Sequence, residues 1–469
     1  MSRVCIIGID GLDPHLVDNW IMDLPNLSAL IKKGNKVISK SVFPVDSVPA
    51  WVSIYTGLNP AEHGIVYSSD YLELQKKKSD FDITSIQGKT FWDKASEMGK
   101  KVCVINPFLA YPAWRVNGVM VSGPVFQGGA ISSYPEEIVS KYRVPPLGGI
   151  VDFPTKKTLQ KFCDDTSNLT EEQAEFGLKL FEDCEWDIYF ISFLTLDRLK
   201  HFLWRYVDEN DPTYVKKSKY KNSIKELYKL FDRIIGEYNK RLDKDDTMVI
   251  LSDHGHGMRA TKVFHVNEFL RQKGYLPTKM SGLGYILEKM KILALKFFYY
   301  TGLEEIGSLF QQYVPFKKKL KDSSYIMKAS GRTAYAPYFA GLNPYGGINV
   351  NKDDDYEQNR SRIIAELKKF EFVKFAKTRE EMYRGKHIDK YPDVLFRLKD
   401  EYGVSPTMYT GRLTGINLMH KRISGGHKEG GVFIASELPS LPAGDISIMD
   451  IRSIILHMVG VNDENTSDK

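Results

Sequence analysis

Short apolar runs punctuate the chain, and each ends in Gly, Pro, Asp or Ser: VCIIGI at 4–9, KVCVIN at 101–106, WDIYFISFL at 186–194, TMVILSD at 247–253 and GVFIAS at 431–436. Most are rich in Val and Ile and uninterrupted, the pattern of strands covered on both faces. Stretches with helical spacing lie between several of them, at 88–99, 171–184 and 217–241. The alternation predicts an α/β fold with a central, mainly parallel sheet and helices on both faces. No internal repeat is visible.

One segment departs from the alternation. Between 276 and 330, Leu283, Ile286, Leu287, Met290, Leu293, Ala294 and Phe297 recur at helical spacing, and FKKKLK follows at 316–321. This predicts a helical insertion or cap over 276–330 that divides the catalytic core into 1–275 and 331–469. A cap helix with a solvated lysine face is the simpler reading. A basic amphipathic helix also suits contact with a membrane surface or a lipid-like substrate. The polar tail from about 461 is expected to fray.

Composition narrows the class without naming it. The 469 residues, 42% of them hydrophobic, suit one large soluble domain with insertions. A formal charge of +6 fits an anionic small-molecule substrate and gives no reason to expect nucleic acid. Cys5, Cys103, Cys163 and Cys184 form no Cys-x-x-Cys pair, so neither a thiolate zinc site nor a disulfide framework is expected. The apolar run after Met1-Ser2-Arg3 is too short for a secretion signal, and no stretch reaches the roughly 20 apolar residues of a membrane span. The expected location is cytoplasmic; the oligomeric state is not legible.

Sheets of this kind place their chemistry beyond the carboxyl ends of strands. Asp10, Asp197 and the pair Asp253-His254 stand there. Asp10 alone is as much a turn or capping residue as a ligand. Asp197 and His201 are four apart, which on a helix projects both from one face. In SDHGHG, Gly255 and Gly257 let the backbone turn beside Asp253 and His254; His256 reads as supporting or substrate-facing. His427 stands among glycines before a strand, and His63 in NPAEHGI reads as structural or supporting. Ser47 precedes Val48-Pro49, with a helix expected from about Ala50, so its hydroxyl either caps that helix or faces a phosphate at its positive end. Asp46, Ser53 and Thr56 compete with it for any catalytic role. Together, three aspartates and three histidines suffice for two cations with three ligands each, the requirement of a two-metal phosphoryl-transfer site.

In order, IIGIDGLD, SVPAW…TGLNPAEHGI, DRLKH, SDHGHG and GGH resemble the nucleotide pyrophosphatase/phosphodiesterase branch of the alkaline phosphatase superfamily. The resemblance runs from residue 5 to about 460, where DISIMDIRSIILHMVGV is similar to that branch's closing helix. It implies an alkaline-phosphatase-like fold and two divalent ions, usually zinc, with manganese among relatives. One ion is implied at Asp197, His201 and His427, and the other at Asp10, Asp253 and His254, completed by Ser47 as nucleophile. The implied activity is hydrolysis of a nucleotide, sugar-nucleotide or phospholipid-like diester through a phosphoseryl intermediate. A phosphomonoesterase or phosphomutase is the alternative; a phosphoglycan or head-group transferase and a non-catalytic binding protein stand further off. Ala50 occupies the position where well-known phosphodiesterases of the branch carry a phosphate-contacting Asn, which weakens the expectation of nucleotide pyrophosphatase activity. No Cys-x-Pro-x-Arg segment points to a sulfatase.

Overall fold

A computed structural model of the chain describes residues 3–66, 85–124, 129–148, 153–277, 282–303, 332–437 and 444–462. Two compact units emerge: residues 1–207, 216–257 and 427–469 form the first, and 208–215 with 258–426 the second.

A nine-stranded sheet organises the first unit. Its strands in chain order are β1 (Val4–Ile9), β2 (Asn35–Lys40), β3 (Val102–Ile105), β4 (Gly118–Ser122), β5 (Ser132–Tyr134), β6 (Ile188–Phe193), β7 (Thr247–Leu251), β8 (Gly430–Ala435) and β9 (Ile446–Ser447). The spatial order is β9-β2-β8-β7-β1-β6-β3-β4-β5. Strands β7, β1, β6, β3 and β4 run parallel, as the uninterrupted apolar runs require of a sheet covered on both faces. Strand β8 is antiparallel to both β7 and β2. Its GVFIAS pattern is as apolar as the others, because burial on two faces fixes composition and carries no direction.

Register positions the chemistry. Gly8 of β1 lies beside Ser192 of β6 and Leu251 of β7, so the three strands end at one level. Asp10 and Asp253, in the loops that follow β1 and β7, and Asp197, in the first turn of the helix after β6, stand beyond the same edge.

The helices Ser47–Thr56, Phe91–Glu97 and Ile451–Met458 pack together over alternate residues of the parallel strands, including Val4, Ile6, Val104 and Phe190. Phe190 is the hub: Trp51, Tyr55, Phe91 and Trp92 place ring centroids 5.7–6.4 Å from its own. On the other face the helices Pro25–Lys33, Leu159–Asp183, Thr195–Val207 and Ser223–Asn239 pack on one another. Tyr189, on the alternate set of β6, accordingly meets Gly177 and Tyr238 of that layer.

The second unit is built mainly on antiparallel pairing, with one parallel pair, Tyr402–Ser405 beside Lys262–His265. One sheet orders Ala334–Tyr335, Tyr345–Val350, Val394–Leu398 and Val373–Thr378, and a smaller one flanks Lys262–His265 with Tyr402–Ser405 and Thr414–Ile416. The expected boundaries at 275 and 330 fall inside this unit. Within 276–330 the described residues include one long helix, Gly282–Thr301, whose Ile286, Met290, Leu293, Phe297 and Tyr300 are exposed. The FKKKLK run at 316–321 lies outside the described residues. Among the described residues no helix is long and apolar enough to cross a membrane.

Truncating Phe190 to Ala removes the ring on which four aromatic side chains rest. We expect a loss of about 3–5 kcal/mol in urea-induced unfolding.

Candidate metal centre

Helix Thr195–Val207 begins directly after β6 and Leu194, and its first turn carries Asp197. One turn on, His201 Nε2 sits 3.1 Å from Asp197 Oδ2. His427 reaches the same carboxylate from the segment before β8, with Nε2 3.7 Å from Asp197 Oδ1. Its Nδ1 lies 3.2 Å from the Val45 carbonyl, to which a proton on Nδ1 donates. His201 Nε2 and His427 Nε2 then face each other at 3.1 Å. At that distance either a hydrogen carried by one ring or a bound cation must lie between the two nitrogens. Asp197, His201 and His427 form the first of two groups of ligand atoms that converge tightly enough to hold an ion.

The second group is Asp10, Asp253 and His254, all buried. His254 Nδ1 contacts the Gly255 carbonyl at 2.9 Å, and Nε2 points to Asp253 Oδ2 at 3.2 Å and Asp10 Oδ1 at 3.6 Å. The Gly11 amide donates to Asp253 Oδ1 at 3.1 Å, whereas Oδ2 is buried with no hydrogen-bond partner. Such an orphan costs about 1–3 kcal/mol, more for a charged group, unless a cation meets it. Gly11 has φ +70, and a Cβ there would stand 2.9 Å from Asp197 Oδ1. Only glycine lets the chain turn so close to both carboxylates. The His254 and His427 rings stack with centroids 4.1 Å apart, so the two groups adjoin.

Ser47 belongs to the second group. Helix Ser47–Thr56 starts three residues earlier than expected, and its N-cap is Asp46, whose side chain accepts from the Val48 amide at 3.0 Å. Capping is therefore done by Asp46. The Ser47 hydroxyl is free to lie 3.3 Å from Asp10 Oδ1 and 3.0 Å from His254 Nε2. Its competitors are engaged structurally: Ser53 Oγ with His63 Nε2 at 3.1 Å, and Thr56 Oγ1 donating to the Val52 carbonyl. His63 is buried in that role, its Nδ1 accepting from the Ile65 amide.

Sequence reading missed several side chains around the ligands. Trp51 Nε1 donates to Asp10 Oδ2 at 3.0 Å, which fixes the plane that directs Oδ1 at Ser47. His256, by contrast, reads from the sequence as supporting or substrate-facing, and its Nδ1 lies 2.7 Å from Asp197 Oδ1. Asp13 caps helix Pro14–Asn19 through Oδ1 and accepts from the His256 amide through Oδ2. Fully buried Lys200 donates to the Gly11 carbonyl, and burial lowers its pKa to about 8 against the pull of Asp13, Asp197, Asp10 and Asp253. A lysine next to His201 in a helical run reads from sequence as solvated; only the fold shows that it turns inward.

The electrostatics match a site short of positive charge. Burial, then the Asp253 and Asp197 charges, holds Asp10 well above the carboxylate range. Burial pushes Asp253 up to about 7, opposed by the Gly11 amide. Burial, then His427, keeps His254 well below the ordinary imidazole value, hence neutral and able to ligate. For His427, burial acts downward, but the Asp197 carboxylate outweighs it and holds the ring up at about 9. Asp197 is held well below its usual value: burial acts upward, and His201, His256 and His427 overcome it. The all-oxygen-and-nitrogen donors, the orphaned Asp253 oxygen and the facing imidazoles fit divalent ions.

A sheet with helices on both faces and paired carboxylate–histidine groups beyond its strand ends defines an alkaline-phosphatase-like α/β protein. Residues 4–393 match the model of the type I phosphodiesterase / nucleotide pyrophosphatase family, and the chain belongs to it. No curated protein matches the chain. Among solved structures, phosphonoacetate hydrolase from Sinorhizobium meliloti 1021 in complex with phosphonoacetate is similar at 16% identity with TM-score 0.59, covering 98% of this chain and 95% of that one. Its complex with phosphonoformate gives 16% and 0.56 at the same coverage. Murine ectonucleotide pyrophosphatase / phosphodiesterase 5 gives 10% and 0.47, over 98% of this chain and 96% of that one. At 16% identity the likeness to the two phosphonoacetate hydrolase complexes is one of fold.

Metal removal has a signed consequence. Asp10, Asp253 and His427 have folded-state pKa values raised above their ordinary ones, so the stability they contribute is present at low pH and lost as pH rises through the folded values. The lowered values of His254 and His256 act below about 6.5, the ordinary histidine pKa. Between about pH 6.5 and 8, therefore, the melting temperature of metal-stripped protein should fall. Zinc at 100 times its dissociation constant should add about 2.7 kcal/mol per site and flatten that slope; calorimetry in both states checks it.

Proposed function

We propose that the chain is a two-metal phosphoric ester hydrolase of the phosphodiesterase type, with Ser47 as the nucleophile that takes the phosphoryl group. The supporting observation is the position of Ser47 Oγ, relieved of capping by Asp46 and held between Asp10 Oδ1 and His254 Nε2. Asp197, His201 and His427 would hold one divalent ion. Asp10, Asp253 and His254, with Ser47 Oγ, would hold the other; zinc suits these donors, and manganese is the alternative. When bound, such ions act as Lewis acids that favour the serine alkoxide and screen the charge of the phosphate and the leaving oxygen.

The chain's own residues prepare the attack. Trp51 holds Asp10, and Asp10 with His254 orients Oγ outward from the first residue of a ten-residue helix, whose dipole favours an anion there. As the Oγ–P bond forms, the Oγ proton passes to solvent, the bond from phosphorus to the leaving oxygen breaks, and that oxygen takes a proton from solvent. Water then cleaves the phosphoseryl ester and regenerates the hydroxyl. Ala50 is fully buried and offers no donor where a polar residue would contact a non-bridging oxygen, and the Trp51 indole is spent on Asp10. This favours diesters other than the nucleotide pyrophosphate type. The substrate class is a nucleotide, sugar-nucleotide or phospholipid-like ester.

Metal-stripped protein reloaded with zinc or manganese should hydrolyse chromogenic phosphodiesters faster than monoesters. Ser47→Ala should lose about 10³-fold or more in kcat, with Ser47→Thr retaining activity. An undiminished rate in Ser47→Ala would remove the serine from the mechanism.

A further inference from the structure

The second unit contains a cation, Arg259, that forms no ion pair with a carboxylate among the described residues. Arg259 follows the strand Gly255–Met258, and its backbone amide donates to the Ser424 carbonyl at 2.8 Å. The side chain is recessed, with Nε sealed from solvent and without a hydrogen-bond partner. Burial lowers its pKa, and among the described residues the single group that opposes this is the Tyr338 phenol, not a carboxylate. Elsewhere in the same unit arginines are paired: Arg271 with Glu268, Arg360 with Glu380 and Arg379 with Asp393. An unpaired, partly desolvated guanidinium is costly unless an anion meets it.

Two further donors gather where that anion would stand. Gly341, with φ +64, leaves open the point that a Cβ would occupy. Around that point lie Tyr338 Oη at 3.5 Å, Arg259 Nη2 at 3.7 Å and Asn343 Nδ2 at 4.0 Å. The Asn343 amide spends one hydrogen on the Ala340 carbonyl at 2.9 Å, and its second remains available. Three donor groups of different chemistry thus gather on the open side of Gly341, where no side chain of that residue stands between them. No carboxylate oxygen is among the nearest atoms to it.

We infer that Arg259, Tyr338 and Asn343 form an oxyanion-binding site in the second unit, one that takes a phosphate-, sulfate- or carboxylate-type group. The guanidinium supplies the charge and a planar pair of donors, and the phenol and amide close the remaining sides. Neither the metal ligands nor Ser47 take part. The ligand consistent with this chemistry is a free inorganic oxyanion.

Titration of inorganic sulfate into the zinc-loaded full chain by calorimetry tests the site directly. Arg259→Gln should weaken one binding event by about 10-fold or more. Arg259→Lys should weaken it less, and Tyr338→Phe, at an exposed position, should weaken it a few-fold without disturbing folding. Sulfate held at the metal centre disappears with the metal and is unaffected by these variants, so the measurement stands whether or not Ser47 is the nucleophile. Equal affinity and stoichiometry in wild type and Arg259→Gln would overturn the inference.

Discussion

Three buried aspartates at the ends of adjacent strands set the terms for everything around them. Asp10, Asp197 and Asp253 follow β1, β6 and β7, which the parallel register brings to one level. Like charges so close and so enclosed cannot all remain ionised without nearby positive charge. Each neighbouring feature answers that demand. His201, His254 and His427 turn ring nitrogens toward the carboxylates, Trp51 and the Gly11 amide each hold one carboxylate oxygen, and Lys200 is drawn into the interior. The buried Asp253 Oδ2, which accepts no hydrogen bond, and the converging nitrogens of His201 and His427 are the groups that divalent ions would meet.

The same constraint explains the division of labour at helix Ser47–Thr56. A helix start needs a side-chain acceptor, and a serine beside it would ordinarily supply one. Here Asp46 takes that role one residue earlier. The hydroxyl of Ser47 is left for Asp10 and His254, so a residue that could have been a cap instead faces the carboxylate cluster. Pro49 sits within the first turn, where its missing amide costs nothing.

Much of this was legible in the sequence, for a specific reason. Strands buried on both faces write themselves as uninterrupted apolar runs, and their ends locate the aspartates; β1, β6 and β7 were visible in this way. The ligand histidines were legible because glycines or helical spacing set them apart. What stayed hidden was long-range or directional. β2, with its polar-alternating NKVISK, carries no buried run, and β8 shows no sign that it runs antiparallel. Trp51 and Lys200 look like a core aromatic and a surface lysine until the fold turns their polar atoms toward Asp10 and Gly11. The second unit's antiparallel pairings, and Arg259 within it, depend on contacts far apart in sequence that no local pattern records.

The account rests on two ions held by two separate sets of ligands. Anomalous diffraction at the zinc edge from crystals of the zinc-loaded protein measures this directly. Two peaks are predicted, one among Asp197, His201 and His427 and one among Asp10, Asp253, His254 and the Ser47 hydroxyl. A single peak, or peaks away from these side chains, would contradict the two-metal centre.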